Sequence, residues 1–445
     1  MNQPHDSSAT LVVDKISRTL HRFLHVEAVS GVVLLLAACI ALLWANSPWA
    51  ASYEHFWHTP ISFSFGEWSS THSLHFWIND GLMTIFFLVV GLEIRRELHE
   101  GALSSVRLAL LPAIAAFGGV CIPALVYLSI APQVPQGWAV PTATDIAFAL
   151  GVLALLGKRV PGTLRVFLLA IAIIDDIAAI LIIALVYSSG IQPTGLLISG
   201  LALLGVWVWR WLGIRTAWAY VLPGFALWYG LLSAGLHPTL SGVLLGLLTP
   251  VRTQGDDGSA LRSAAGALKE FGARLVGHGA DGPALMAPLQ DLQRAQLQLL
   301  APALRVQVLL HPWVAFGVMP LFALANAGVR LPAGSVADLL DQPLVLAVGL
   351  GLLVGKPIGI IATSVIAKRL RLGEFPTGVD WRGLLLVGCL GGIGFTMSIF
   401  ISTLAFAQPA MLAAAKLGIL IASASAAVVG LALGAILLRS KQVVT

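Results

Sequence analysis

Long apolar segments constrain this chain more than any other feature. Hydrophobic residues make up 58% of its 445 residues and charged residues only 11%, too few charges to cover a soluble surface of this size. Most of the segments are long enough to cross a bilayer as a helix. The sequence therefore predicts an all-α polytopic membrane protein with about twelve transmembrane helices. The predicted segments are residues 28–46, 76–98, 106–130, 138–156, 163–187, 194–211, 216–234, 236–249, 312–328, 343–367, 384–406 and 411–437.

Basic residues in the connecting loops indicate the orientation. Lys and Arg occur in every second loop, whereas the other loops carry almost none, with Arg330 as the exception. Cytoplasmic loops are enriched in these residues, so both termini are predicted to be cytoplasmic. The same loops account for the net charge of +5.

The polar stretches divide the chain further. We predict a cytoplasmic N-terminal segment (1–27), helices one to eight (28–249), a cytoplasmic loop or insertion (250–310), helices nine to twelve (311–437) and a cytoplasmic tail (438–445). In the first long outer loop, apolar and polar residues alternate through ISFSFGEWSS, which is typical of a β-hairpin. An isolated two-stranded ribbon is only marginally stable. The hypothesis is that this hairpin, residues 60–70, pairs with a second copy in a homodimer.

Two segments are predicted to be interrupted inside the membrane. In the fourth, Pro141 removes a backbone donor and is followed by Thr142, Thr144 and Asp145. In the eleventh, glycines weaken the middle of LVGCLGGIGFTMSIFIST. Each is the middle member of a triplet of helices, residues 106–187 and 343–437, and the two triplets cross the membrane in opposite directions. Paired interruptions in inverted repeats indicate the binding site of a secondary transporter.

Ionisable residues at mid-membrane depth are the strongest functional signal. Asp175 and Asp176 lie in LLAIAIIDDIAAILIIALV, about 20 Å along their helix. Charge at that depth is costly, so it indicates a site for a cation or a proton. The two side chains point about 100° apart. We therefore predict that Lys356, at similar depth in segment ten, pairs with Asp175 and leaves Asp176 for the ion.

The chemistry of this set suits an exchange of protons for a small cation. Burial and a neighbouring like charge both disfavour an ionised carboxylate, so Asp176 could hold a proton and release it when a cation binds. Na⁺ and Li⁺ prefer hard oxygen ligands, which Asp176, Asp175, Thr144 and exposed carbonyls could supply. Asp145 would offset the positive ends of the half-helices, and Lys356 the negative ends. No cofactor is predicted.

The remaining ionisable residues of the segments are expected near the membrane surfaces. Asp80 and Lys416 fall close to outer ends, where Lys416 can extend to the interface. Glu93, Arg96 and Glu97 fall near an inner end, and His237 at a membrane edge.

Other function classes remain as alternatives. An intramembrane prenyltransferase would need a third acidic residue after Asp175 and Asp176, where the chain reads Ile-Ala-Ala, and an aspartyl protease would need a GxGD-like context. A Na⁺-coupled symporter of similar fold would need a roomy polar pocket. A channel would need a selectivity filter, and no segment resembles one.

Several stretches together resemble the NhaA family of bacterial Na⁺/H⁺ antiporters. They are FWINDGLMTIFFLVVGLEIRRE, PTATDIAFALGVL, AIIDDIAAI, GLHPTLSGVLLG, LHPWVAFGVMPLFALANAGV, GKPIG and GGIGFTMSIF, which occur in this order over nearly the whole chain.

The resemblance implies electrogenic exchange of cytoplasmic Na⁺ or Li⁺ for more than one external proton, across a bacterial inner membrane, by a transporter that is not an enzyme. It implies that Asp176 binds the cation, that Asp175 pairs with Lys356, and that Thr144 and Asp145 lie where the interrupted helices cross. It also implies a pH-sensing role for the cytoplasmic cluster of Glu93, Arg96 and Glu97. His237 and His311 are further candidates for pH sensing, and for His237 the alternative is a satisfied histidine at the membrane edge.

This chain departs from the family pattern just before His311. Well-known members carry an acidic residue and a histidine there, and this chain has Gln307 and Val308.

Overall fold

The chain is mostly helical, with one small sheet, in the part that the computed structural model describes. That part is residues 29–438 without 66–67, 102, 189, 191, 215–216, 252–256, 278–285, 293–300, 331–341, 374 and 377–378. The predicted N-terminal segment 1–27, and all but the first residue of the predicted tail, lie outside it. The elements are α1 (Val29–Ala45), α2 (Ala50–Trp57), β1 (Pro60–Phe65), β2 (Trp68–Ser73), α3 (Leu74–Glu100), α4 (Val106–Ile130), α5 (Ile146–Leu155), α6 (Gly162–Val186), α7 (Pro193–Trp211), α8 (Val221–Ser233), α9 (Leu240–Leu248), α10 (Asp257–Gly277), α11 (286–292), α12 (Pro302–Asn326), α13 (Pro343–Arg369), α14 (Trp381–Gly391), α15 (Phe395–Ala405) and α16 (Pro409–Leu437).

Eight helical spans in the described residues are long and apolar enough to cross a membrane, when Pro135–Leu155, which ends with α5, is counted as one. The number is ten if each of two bent pairs is one span. The bent pairs are α1 with α2, at 117°, and α14 with α15, at 42°. The predicted seventh and eighth segments correspond to α8 and α9. These have 13 and 9 residues, shorter than a crossing requires, and this explains why the count is lower than the predicted twelve.

Helix α12 begins at Pro302, well before the predicted start at residue 312. Proline is favoured in the first turn of a helix, because the N–H groups of that turn have no acceptor within the helix and proline has no N–H to leave unpaired. Polar residues such as Arg305 and Gln307 lower the hydropathy of this first part, so a hydropathy pattern does not identify it as helix. The helix then continues past Pro312 through a π-helical stretch, Val314–Val318, so the predicted loop 250–310 ends earlier than expected.

The predicted hairpin is confirmed as a two-stranded antiparallel sheet. Its register runs from Pro60 opposite Ser73 to Phe65 opposite Trp68. The connection is therefore two residues long, which is the commonest hairpin connection. The second strand extends to Ser73, three residues past the predicted end at 70.

Glycines allow α4 and α13 to cross with their backbones in contact. A Cβ atom added to Gly359 would lie only 2.1 Å from the carbonyl oxygen of Gly118, and one added to Gly118 would lie 2.5 Å from that of Gly359. Small residues permit such close approach between membrane helices. The contact fixes the part of α13 that carries Lys356.

A Gly359→Ala variant is therefore expected to lower the melting temperature in detergent, because the added methyl group meets backbone that cannot yield. Overpacking of this kind costs about 1–3 kcal/mol. The control is Gly200→Ala on α7, where an added Cβ has no neighbour within 4 Å. Equal melting temperatures for both variants would contradict the assigned contact.

Candidate functional site

The two interrupted helices touch each other at their breaks. Two 3-10 turns, Pro135–Gly137 and Val140–Thr142, lead into extended backbone before α5, and residues 392–394 separate α14 from α15. The Asp145 N–H donates to the Ile393 carbonyl at 2.7 Å. Both interruptions were predicted, but 3-10 turns that contain Pro135 and Pro141 replace the expected first half-helix of segment four.

Asp145 caps the N-termini of both half-helices that begin at the crossing. Its Oδ1 accepts the Phe148 N–H of α5 at 3.0 Å, and its Oδ2 accepts the Thr396 N–H of α15 at 3.1 Å. The Thr396 hydroxyl donates to the same Oδ2. A carboxylate there offsets the partial positive charge of two helix ends, as expected from the sequence.

Lys356 is buried on α13 and contacts both Asp175 and the first break. Its Nζ lies 2.9 Å from Asp175 Oδ2, the pairing expected from the sequence, and it also donates to the Thr142 carbonyl. Thr144 Oγ1 lies 2.8 Å from the same Asp175 oxygen and 3.0 Å from the Gly391 carbonyl. Asp175 is thus held through one oxygen by an ammonium group and a hydroxyl.

Asp176 is buried but has none of these contacts. It is 1% exposed, and its Oδ1 has no hydrogen-bond partner among the described residues; the same is true of Asp175 Oδ1. The charged groups that act on it are Asp175, Glu93, Asp145 and Lys356. An ionised carboxylate without a partner is very costly to bury. A proton or a cation at Asp176 would remove this cost.

A second group of polar residues lies where α3 meets α12. Arg96 Nη2 is 3.6 Å from Glu97 Oε1, and Arg96 also acts electrostatically on Glu93 and His311. Its Nη1 donates to Gln307 Oε1 at 3.3 Å. At the departure from the family pattern, a neutral amide therefore contacts this cluster, while Val308 is 64% exposed.

His237 and Lys416 lie apart from the crossing contacts. His237 Nδ1 is 3.6 Å from Asp80 Oδ1, and its ring packs edge-on against Phe400. Lys416 is only 9% exposed, so the expectation that it extends to the interface is wrong. It instead acts electrostatically on His75, whose Nε2 lies 3.1 Å from Asn326 Oδ1.

Two hydroxyl residues of the crossing were not found from the sequence. Thr396 bonds Asp145, and the Ser423 hydroxyl of α16 accepts the Phe395 N–H at 3.1 Å. A hydroxyl residue directly after the glycine break was the available signal for Thr396. For Ser423 there was none, because small hydroxyl residues are common in membrane helices.

Comparisons with known proteins agree with the resemblance. The family model described as "Na+/H+ antiporter 1" matches residues 21–433. A protein of Janthinobacterium sp. (strain Marseille) named Na(+)/H(+) antiporter NhaA is 56% identical over 98% of this chain and 96% of its own length. Proteins of the same name from Cupriavidus necator and Bartonella bacilliformis are 55% and 49% identical, each over 98% of this chain and over 93% and 96% of their own lengths.

These matches cover nearly the whole chain. They give no support to the symporter or intramembrane-enzyme alternatives. A family model over most of the chain and relatives at this level of identity lead to one conclusion: the chain is a multi-pass membrane protein that belongs to the Na⁺/H⁺ antiporter 1 family.

Proposed function

We propose that the protein is an electrogenic antiporter that exchanges cytoplasmic Na⁺ or Li⁺ for more than one external proton. The observation that carries the proposal is Asp176, a buried carboxylate beside the crossing of two interrupted helices, whose Oδ1 has no hydrogen-bond partner among the described residues. Such a group is neutralised by a proton or by a small cation, and the two compete for it. Exchange follows from that competition when the site opens alternately to each side of the membrane.

The crossing supplies the other parts of this site. Asp176, Asp175 and Thr144 are the proposed cation ligands, because they offer hard oxygen atoms at one depth. Lys356 is the proposed counter-charge of Asp175 through its 2.9 Å contact, and it can release that carboxylate when a cation arrives. Asp145 holds the two half-helices at fixed positions around the ion through its bonds to Phe148 and Thr396.

The same proposal includes the arrangement of the chain in the membrane. We propose twelve transmembrane segments, in which α8 and α9 are the short seventh and eighth, with inverted repeats at residues 106–187 and 343–437. Both termini and the 250–310 loop would face the cytoplasm of a bacterial inner membrane. The support is the alternation of basic and non-basic loops, together with the two interruptions in corresponding positions.

Inside-out vesicles with an imposed pH gradient test the proposed activity. Adding Na⁺ or Li⁺ should collapse the gradient, and the rate should depend on membrane potential because the exchange moves net charge. Vesicles without the protein are the control. A gradient that persists after both cations are added would reject the proposal.

We propose that Glu93, Arg96, Glu97, His237 and His311 set the response to pH. Glu93 links this set to the ion site, since it acts electrostatically on both Asp176 and Arg96. The Arg96 to Gln307 hydrogen bond supports a structural link between α3 and α12 at this cluster. A Gln307→Glu variant should shift the pH at which antiport begins, and Val308→Thr, at an exposed site on the same helix, should not.

We also propose that the hairpin formed by β1 and β2 mediates a homodimer. A two-stranded sheet has two unpaired edges, which can pair with another copy. Deletion of residues 60–70 is expected to convert the protein to monomers in mild detergent, measured by size-exclusion chromatography with light scattering. An unchanged dimer after this deletion would remove the hairpin from the interface.

A further inference from the structure

The second half-helix of the crossing has no capping side chain of its own. Helix α15 begins at Phe395, and the residue before it is Gly394, which has no side chain to accept an N–H. Helix α5 differs, because the residue before it, Asp145, caps it. The first N–H groups of any helix lack intrahelical acceptors, and none can be left unpaired at membrane depth without a cost.

Two acceptors from elsewhere in the chain supply the missing cap. Asp145 Oδ2 accepts the Thr396 N–H, and Ser423 Oγ accepts the Phe395 N–H at 3.1 Å. Ser423 is 1% exposed, and it lies on α16, which packs against both α14 and α15. Asp145 Oδ2 already receives two bonds from Thr396. Ser423 therefore accepts the remaining donor, the Phe395 N–H.

The position of Ser423 along its helix corresponds to that of Asp176, the proposed cation ligand. Ser423 lies fourteen residues after the start of α16 at Pro409, and Asp176 lies fourteen residues after the start of α6 at Gly162. In the proposed inverted repeats, these are the third helices of the two triplets. One carries the proposed ion ligand at its centre, and the other carries a neutral hydroxyl that receives a backbone donor.

We infer that Ser423 is a positioning residue for ion binding, whose hydroxyl holds α15 in place against Asp145. This inference rests on the proposed function and adds a residue to it. Loss of the hydroxyl leaves the Phe395 N–H without its acceptor, so the start of α15 moves to find another one. That movement displaces Thr396 and with it the Asp145 carboxylate beside the cation site.

Three variants distinguish loss of the Ser423 hydroxyl from a change in the shape of the side chain. Ser423→Ala removes the acceptor, and Ser423→Thr keeps it. The control Ser402→Ala removes a hydroxyl of α15 that donates to the local Ile399 carbonyl. In vesicles, Ser423→Ala should raise the apparent KM for Na⁺ about tenfold, the size of one hydrogen bond, and change kcat less than about twofold. The Ser423→Thr and Ser402→Ala variants should stay within about twofold of the unmodified protein.

A second measurement does not depend on transport. Hydrogen–deuterium exchange of peptides covering residues 391–400 should be faster in Ser423→Ala and unchanged in Ser423→Thr. If the unmodified protein shows no antiport, the proposed function is wrong, while the exchange data still decide the role of Ser423. An unchanged KM and exchange rate in Ser423→Ala, or equal defects in Ser423→Thr, would overturn the inference.

If Ser423→Ala does not fold, one further variant tests the inference. Ser423→Cys preserves the size of the side chain but offers a weaker acceptor. Its KM for Na⁺ and its exchange rate should lie between those of the unmodified protein and those expected of Ser423→Ala. Values equal to the unmodified protein would overturn the inference.

Discussion

An Asp176→Asn variant is expected to lose all collapse of an imposed pH gradient by Na⁺ or Li⁺. Asparagine has nearly the same shape, so the fold should survive, but it cannot bind a proton or supply a negative charge to a cation. Asp176 Oδ1 has no hydrogen-bond partner among the described residues, so the replacement breaks no bond to this oxygen within the described part of the chain. The measurement is the gradient assay in inside-out vesicles.

The matched control is Glu100→Gln, which neutralises an exposed carboxylate at the end of α3. It should transport like the unmodified protein, and both variants should have similar melting temperatures. Isothermal titration adds a second check, because Na⁺ binding to the unmodified protein should release protons and binding to Asp176→Asn should be absent. Normal transport by Asp176→Asn, or Na⁺ binding without proton release, would refute the assigned site.

A Lys356→Ala variant should be strongly destabilised as well as impaired in transport. Lys356 is fully buried, and its ammonium group lies 2.9 Å from Asp175 Oδ2. Removing one partner of a buried ion pair leaves an uncompensated charge, at a cost of about 3–5 kcal/mol. The variant also loses the bond to the Thr142 carbonyl, which closes the first interruption. Thermal unfolding in detergent gives the size of the effect.

A double variant distinguishes loss of the pair from loss of packing. Lys356→Ala combined with Asp175→Asn carries no unpaired charge at this position, so it should melt at a higher temperature than Lys356→Ala alone. The two positions are in contact, and their effects should therefore not add. If the double variant is less stable than either single variant, the ion pair is not the source of the destabilisation.

The main parts of the site could be predicted because charge at membrane depth is rare and costly. Asp175, Asp176 and Lys356 stand out in apolar segments, and helix geometry alone separates the directions of the two aspartates. Pro141 and the glycines around Gly392 mark where the backbone leaves the helix. These signals depend on covalent structure and local sequence, which is why the contact of Lys356 with Asp175 and the capping role of Asp145 could be anticipated.

Other parts depend on tertiary packing that no local pattern encodes. Ser423 lies in a small-residue stretch of α16, and its bond to Phe395 requires knowing which helix packs beside the break. Lys416 was expected to reach the membrane surface, yet the packing around α16 buries it. The start of α12 at Pro302 was missed because polar residues such as Gln307 give this part the hydropathy of a loop. In the structure, Gln307 accepts a hydrogen bond from Arg96.

The shared cap at Asp145 has a mechanical consequence. The half-helices that begin at Ile146 and Phe395 depend on the same carboxylate, so a tilt of either one alone would separate the Phe395 helix from the group that caps it. In the proposed antiport cycle, we therefore expect the two pieces to move as a unit. A sliding surface is then expected outside this pair, between the block that contains the crossing and the helices around it.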